Sequence, residues 1–261
     1  MVAAFCNRKE VVRERLKHST KAESANNDVS TPLNNAAIDG NLEVVRELLK
    51  RSAKAVSANE YGWTTLKSAA FHGHVEVVRE LLKHGTNMEG VSKCGWTALK
   101  SAAFNGKVKV VAELSNHGAN VESASQCGWT SANNYAWTPL KSGAFHGHVE
   151  VVQELLKHGA NLESADRDGW TPLKTAAFKG QLEVVRELLK HGPNVESANE
   201  DGWTALMSAP FEGHLEVVKE LLKHGAKLDR ADKDGWTPLK IATKFGHMNV
   251  VEELQEHGAS V

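Results

Sequence analysis

Six tryptophans, Trp63, Trp96, Trp137, Trp170, Trp203 and Trp236, each followed directly by Thr, are the side chains of this sequence best equipped for recognition by contact. Trp offers a large, stiff surface and is over-represented where binding energy concentrates. A Phe column accompanies them: Phe71, Phe104, Phe145, Phe178 and Phe211, with Phe5 upstream. A Lys column stands between, at Lys67, Lys100, Lys141, Lys174 and Lys240, with Asn34 and Met207 as its exceptions. Two readings of the aromatic columns stay open. They form a groove for a partner, or each Trp packs on a Phe and stiffens its own turn. The lysines also admit two readings. They are solvated cations whose stems lie over Trp, or, with the adjacent helix N-termini, a row of anion-attracting points that favours a partner with an acidic segment.

Other reactive residue types lead nowhere catalytic. His72-Gly73-His74 and His146-Gly147-His148 have a spacing that invites a metal, but they fall in turns and read as structural. His84, His158, His191 and His224 stand at helix ends, where a cation suits the dipole. Cys6, Cys94 and Cys127 are an odd set without a C-x-x-C, which favours a reducing intracellular compartment, cytoplasmic or nuclear. There is no glycine-rich phosphate loop, H-E-x-x-H or nucleophile elbow. Almost every residue has a copy one period away, whereas an enzyme needs a unique site. No cofactor is expected.

The elements that position these columns follow from the same period. The Trp residues recur every 33 positions, except between Trp96 and Trp137. A full unit from Asp168 begins D-G-W-T-P-L-K-T-A-A-F-K-G. Thr171-Pro172 suits a helix start. Leu173, Ala176 and Ala177 predict a short helix with a small-residue face, ended by Gly180. Leu182, Val184, Val185, Leu188 and Leu189 fall at helical spacing and predict a second, amphipathic helix. Its outer charges Glu183, Arg186, Glu187 and Lys190 can pair at i,i+3, and Gly192 supplies its left-handed cap. The polar stretch from Pro193 to Gly202 predicts a turn or β-hairpin.

These phrases, W-T-P-L-K-x-A-A-F-x-G-H-x-E-V-V-x-E-L-L-K-H-G-A-N, resemble the ankyrin repeat over essentially the whole chain. The resemblance implies an all-α solenoid, an array of helix–turn–helix units joined by short β-hairpin or turn segments. It implies that the Trp and Phe columns face a concave side used for partners. It also makes the Gly-His turns ordinary, whereas Lys replaces the His usual at the third column. Residues 1–261 read as a single domain. Its units are 1–27 (partial), 28–60, 61–93, 94–126, 135–167, 168–200, 201–233 and a C-terminal cap at 234–261. Residues 127–134 are an insertion that duplicates a neighbouring octet and adds Trp129. Lys9, Arg15 and Gln255 give polar end layers, as in a complete array. Ser30 and Ile38 fill the aromatic columns early, and Lys244 displaces Phe in the last unit. Ser115, Gly143 and Pro210 mark weaker layers, with local opening expected to begin near Ser115 or Pro210.

Charged residues make up 24% of the chain and nearly cancel, giving a net charge of −1. That disfavours a nucleic-acid binder, and no stretch approaches the roughly 20 apolar residues of a bilayer span. The expected function is a non-catalytic scaffold or adaptor, a monomer, that binds a partner protein. The residues expected to carry it are Trp63, Trp96, Trp137, Trp170, Trp203, Phe71, Phe104, Phe145, Phe178, Phe211, Lys100, Lys141 and Lys174. Alternatives are single-stranded oligonucleotide binding by a Trp/Lys ladder and a regulatory arm of a larger protein.

Overall fold

Small alanines on first helices and Val-Val/Leu patterns on second helices dictate a two-layer stack. The computed structural model describes residues 31–51, 58–124 and 137–260. The early layer at 1–27, Phe5, Cys6, Ser30, Cys127, Trp129 and the 127–134 insertion lie outside them. The chain divides into two compact units, Met1–Asn134 and Tyr135–Val261. The first holds α1 (Pro32–Ile38), α2 (Leu42–Lys50), α3 (Thr65–His72), α4 (Val75–Lys83), α5 (Ala98–Phe104) and α6 (Val108–Asn116). The second holds α7 (Pro139–Phe145), α8 (Val149–Lys157), α9 (Pro172–Phe178), α10 (Leu182–Lys190), α11 (Ala205–Glu212), α12 (Leu215–Lys223), α13 (Pro238–Phe245) and α14 (Met248–Glu256).

Within each unit the architecture is an α-solenoid. First helices pack on first helices (α1, α3, α5; α7, α9, α11, α13) and second helices on second helices (α2, α4, α6; α8, α10, α12, α14). Ala69, Ala70, Ala102, Ala103, Ala176 and Ala177 are wholly buried, letting first helices approach closely, and Val77, Val78, Leu81, Val184, Val185 and Leu188 close the core behind them. Each fully buried Leu or Val contributes about 1.5–3 kcal/mol. On the back, Arg79 pairs with Glu76 and Arg186 with Glu183 within a helix, as the spacing predicts. The same guanidinium groups also bridge layers, to Glu113 at 2.7 Å and Glu220 at 3.1 Å.

The helix ends follow the expected chemistry. Thr64, Thr97, Thr138, Thr171 and Thr237 each accept, through the hydroxyl, the backbone N–H three residues on. Thr204 makes no such cap, and its helix α11 runs on through Pro210 to Glu212. The helix thus survives its interior Pro but lacks the cap its neighbours have. At the other end, His84, His158, His191 and His224 each place Nδ1 within 3.0 Å of the carbonyl oxygen four residues back.

Gly180 adopts φ +67, and a Cβ there would sit 2.5 Å from the imidazole of His214 in the next layer. That ring is held by Nε2 against the Phe178 carbonyl at 3.1 Å. Gly180→Ala therefore meets a left-handed backbone and a fixed ring together. It is expected to cost about 1–2 kcal/mol, measured as a lower urea midpoint at unchanged slope.

Two weak layers turn out differently from one another. A Cβ on Gly143 would meet Val151 at 3.1 Å, so Val151 already fills the space an alanine would take. Ser115 is buried and its hydroxyl has no hydrogen-bond partner among the described residues, where other layers place Leu49, Leu82, Leu156, Leu189 and Leu222. Ser115→Leu is expected to stabilise by about 1–2 kcal/mol, read from chemical denaturation.

The connections are turns rather than hairpins. Among the described residues no strand forms, and the sole bridge is Ala58 with Thr64. The reason is local. Each loop closes on itself through two backbone bonds, as Asn59 N–H to the Trp63 carbonyl at 3.0 Å and Gly62 N–H to the Asn59 carbonyl at 2.9 Å. A side chain, described next, takes the remaining donors, so little is left to build a ladder.

Candidate functional site

The Trp column is placed by a polar residue four positions earlier, which the sequence reading overlooked. Asn59, Asp166, Asn199 and Asp232 each use Oδ1 to accept two backbone N–H groups, the second being that of the Trp. Ser92 does the same with its hydroxyl for Cys94 and Trp96. Short Asx and Ser side chains are the residues able to fold a turn onto themselves this way. Their recurrence at the Trp period was the available signal.

The indoles and phenyl rings meet in pairs. Trp63–Phe71, Trp96–Phe104, Trp137–Phe145, Trp170–Phe178 and Trp203–Phe211 have ring centroids 5.9, 4.9, 4.9, 5.4 and 5.9 Å apart, mostly edge to face or tilted. Contacts also run between layers. Trp63 lies 6.2 Å from Trp96 in the first unit. In the second, Phe178 lies 5.8 Å from Phe211, and Phe211 lies 4.4 Å from Phe245. Trp137 is buried; Trp63, Trp96, Trp170, Trp203 and the five Phe rings are half-buried. Apart from Trp137, each of these rings thus has a packed side and an open side. Lys244, expected to end the strip, instead holds its ammonium 4.3 Å from the Trp236 ring, and Phe245 carries the aromatic contacts onward.

The lysine column is corrected outright. Lys67, Lys100, Lys141 and Lys174 are not solvated but 1–2% exposed, among the largest fully buried side chains of the structure. Their backbone N–H groups receive the Thr caps, which fixes them in the first turn, and their stems run inward. Lys67 Nζ donates to the Gly62 carbonyl at 2.8 Å. The Lys100 and Lys141 ammonium groups lie 5.2 and 5.3 Å from the Trp96 and Trp137 rings. Lys141 Nζ also donates to the second carboxylate oxygen of Asp166, itself almost buried. Lys174 Nζ is buried without a hydrogen-bond partner among the described residues. Burial pushes the amines of Lys67, Lys141 and Lys174 down to about 8, at Lys141 against the opposing pull of Asp166. Lys240, in the last layer, is the exposed one.

The contrast between Lys141 and Lys174 has a one-residue cause. Asp166 lies 25 positions after Lys141, and the same offset from Lys174 reaches Asn199. Asn199 anchors its loop as Asp166 does but brings no second carboxylate oxygen. At the next layer Met207 replaces Lys and is fully buried. The partner then changes: Asp232 Oδ2 accepts Trp203 Nε1–H at 2.9 Å.

The paired histidines have structural bonds. His72 Nδ1 contacts the Ser68 carbonyl oxygen at 2.9 Å, and His74 Nε2 contacts that of Ile38 at 2.8 Å. Their rings stack nearly parallel, 6.1 Å apart, as His146 and His148 do at 5.9 Å. No helix among the described residues is long and apolar enough to cross a membrane.

Comparison with known proteins agrees with this geometry. The family described as ankyrin repeats (3 copies) matches residues 1–92, 85–166, 125–199 and 191–261. No curated protein matches the chain. Among solved structures, the crystal structure of the human ASB11 ankyrin repeat domain superposes with a TM-score of 0.78 at 25% identity. The match covers 89% of this chain and all of that one.

Proposed function

Because the chain belongs to the ankyrin-repeat family, whose repeats generally mediate protein–protein interaction, we propose that it is a non-catalytic scaffold that binds a partner protein through its Trp/Phe strip. The observation carrying this reading is the half-open packing of the aromatic pairs. Trp63, Trp96, Trp170 and Trp203 are each held by a loop anchor and by a Phe, yet keep part of the ring in solvent. Rigid, partly exposed aromatic area is inexpensive to bury because little conformational freedom remains to be lost. The buried lysines argue against an oligonucleotide ladder. Stacked bases would need phosphate-facing cations, and the ammonium groups of Lys67, Lys100, Lys141 and Lys174 face inward.

The test is an affinity capture from cell extract with wild type and the Trp170→Ala/Trp203→Ala variant, beside thermal melts of both. The expected result is at least about tenfold loss of captured partner, as hot-spot truncation gives, with the melting transition still cooperative. Unchanged capture with a lowered Tm would assign the rings to stiffening alone.

A further inference from the structure

Deepening that reading, we propose that the segment of the strip formed by Trp170 and Trp203 accepts a cationic peptide, one presenting Arg or Lys side chains to the indoles. The proposal rests on which charges the fold hides and which it displays. Four lysines of the third column are withdrawn from the surface, so the solvent-facing balance is more negative than the chain's formal −1. Beside the Trp column the opposite happens. Asp168, Asp201 and Asp234 stand two residues before Trp170, Trp203 and Trp236, and all three are exposed, as is Glu200. Glu200 and Asp201 form no ion pair among the described residues, which leaves two carboxylates at one loop tip to meet an incoming charge. Arg167 and Lys233 lie on the flanking tips.

Several aromatic faces of this protein already take cations. Lys244 lies over Trp236 at 4.3 Å, Lys141 over Trp137 at 5.3 Å, and Lys179 over both Phe145 and Phe178, at 4.7 and 5.1 Å. Trp170 and Trp203 carry no such cation among the described residues. At Trp203 the column residue is Met207 instead of Lys, and at Trp170 the column residue Lys174 is buried. These two indoles therefore combine an open ring with nearby carboxylates, the pairing that favours a guanidinium, which can stack and hydrogen-bond at once.

The experiment titrates the full chain with three probes, following tryptophan fluorescence and heat. They are a peptide of alternating Arg and Ala, its Glu/Ala counterpart, and an oligothymidylate strand. The Arg/Ala peptide is expected to bind and to weaken with salt. Glu200→Gln/Asp201→Asn, surface changes that leave the core intact, should weaken it about fivefold or more, and Trp203→Leu should weaken it further. Stronger binding of the Glu/Ala peptide or of the oligonucleotide would overturn the assignment, as would Arg/Ala binding indifferent to Glu200→Gln/Asp201→Asn. Those outcomes leave the scaffold reading standing, since only unchanged capture by the Trp170→Ala/Trp203→Ala variant refutes that.

Discussion

Replacing Asp166 by Asn is expected to destabilise the second unit by about 3 kcal/mol, the penalty of leaving a buried charge without its partner. The loop itself tolerates the substitution, so its effect falls on the buried lysines, Lys141 first and Lys174 through the lost charge. Asn59 and Asn199 hold their own loops with the same two Oδ1 bonds that Asp166 makes. What disappears is the second carboxylate oxygen facing Lys141 Nζ, in surroundings where the two side chains are 1% and 6% exposed. An amide nitrogen would then point at the ammonium. Adding Lys141→Met should restore the unit to within about 1 kcal/mol of wild type, since a hydrophobic side chain of similar volume often replaces a buried ion without loss. The chain already shows that methionine fits this column, at Met207. Urea denaturation of the four members of the cycle is the measurement. A double variant no more stable than Asp166→Asn alone would mean that Asp166 acts through the loop and not through Lys141.

Much of the fold was legible because its determinants are local and repeated. Thr171 caps, Gly180 and Gly192 take positive φ, and the Val/Leu pattern of α10 buries the face its spacing assigns. The pairing of Trp170 with Phe178 was also within reach, as one of two readings kept open. What escaped depends on residues one layer away. His214 reaching the Phe178 carbonyl, Arg186 bridging to Glu220, and Asp166 meeting Lys141 span 36, 34 and 25 positions. Lysine is normally a surface residue, so the column read as solvated. Only the stacking of layers shows that its stem runs inward. Of the two connections the polar stretches admit, turn or hairpin, the turn is the one formed among the described residues. The polar residue four before Trp63, Trp96, Trp170, Trp203 and Trp236 takes two of the donors a ladder would need, and it recurs at the Trp period. The surface charge inverted with the lysines: cations expected at the surface are inside, and carboxylates two residues before three of the tryptophans face solvent.

Raising the pH from about 8 toward 10 is expected to make the protein more stable, the reverse of the usual alkaline trend. The amines of Lys67 and Lys174 are pushed down to about 8 in the folded chain by burial, against 10.5 for a free lysine. Between those two values the unfolded chain binds more protons than the folded one, so stability rises with pH. Below about 8 the penalty of a buried ammonium is fully present. Above the unfolded value it is gone. A displacement of this size corresponds to at most about 3 kcal/mol per lysine, at about 1.4 kcal/mol per pH unit. Lys174 should dominate, because its Nζ has no hydrogen-bond partner among the described residues while that of Lys67 has the Gly62 carbonyl. Two substitutions sort the contributions. Lys174→Met should raise stability at pH 7.5 and flatten the slope. Asn199→Asp should do likewise by supplying, at the Asp166 offset, the acceptor that Lys174 lacks, with a gain of about 1–3 kcal/mol. Measurements kept below pH 10 leave Tyr61 protonated, since Glu60 holds it above its ordinary value. Stability that falls monotonically from pH 7.5 to 10 in wild type and in Lys174→Met alike would show that the Lys174 amine is hydrated and the column open to water.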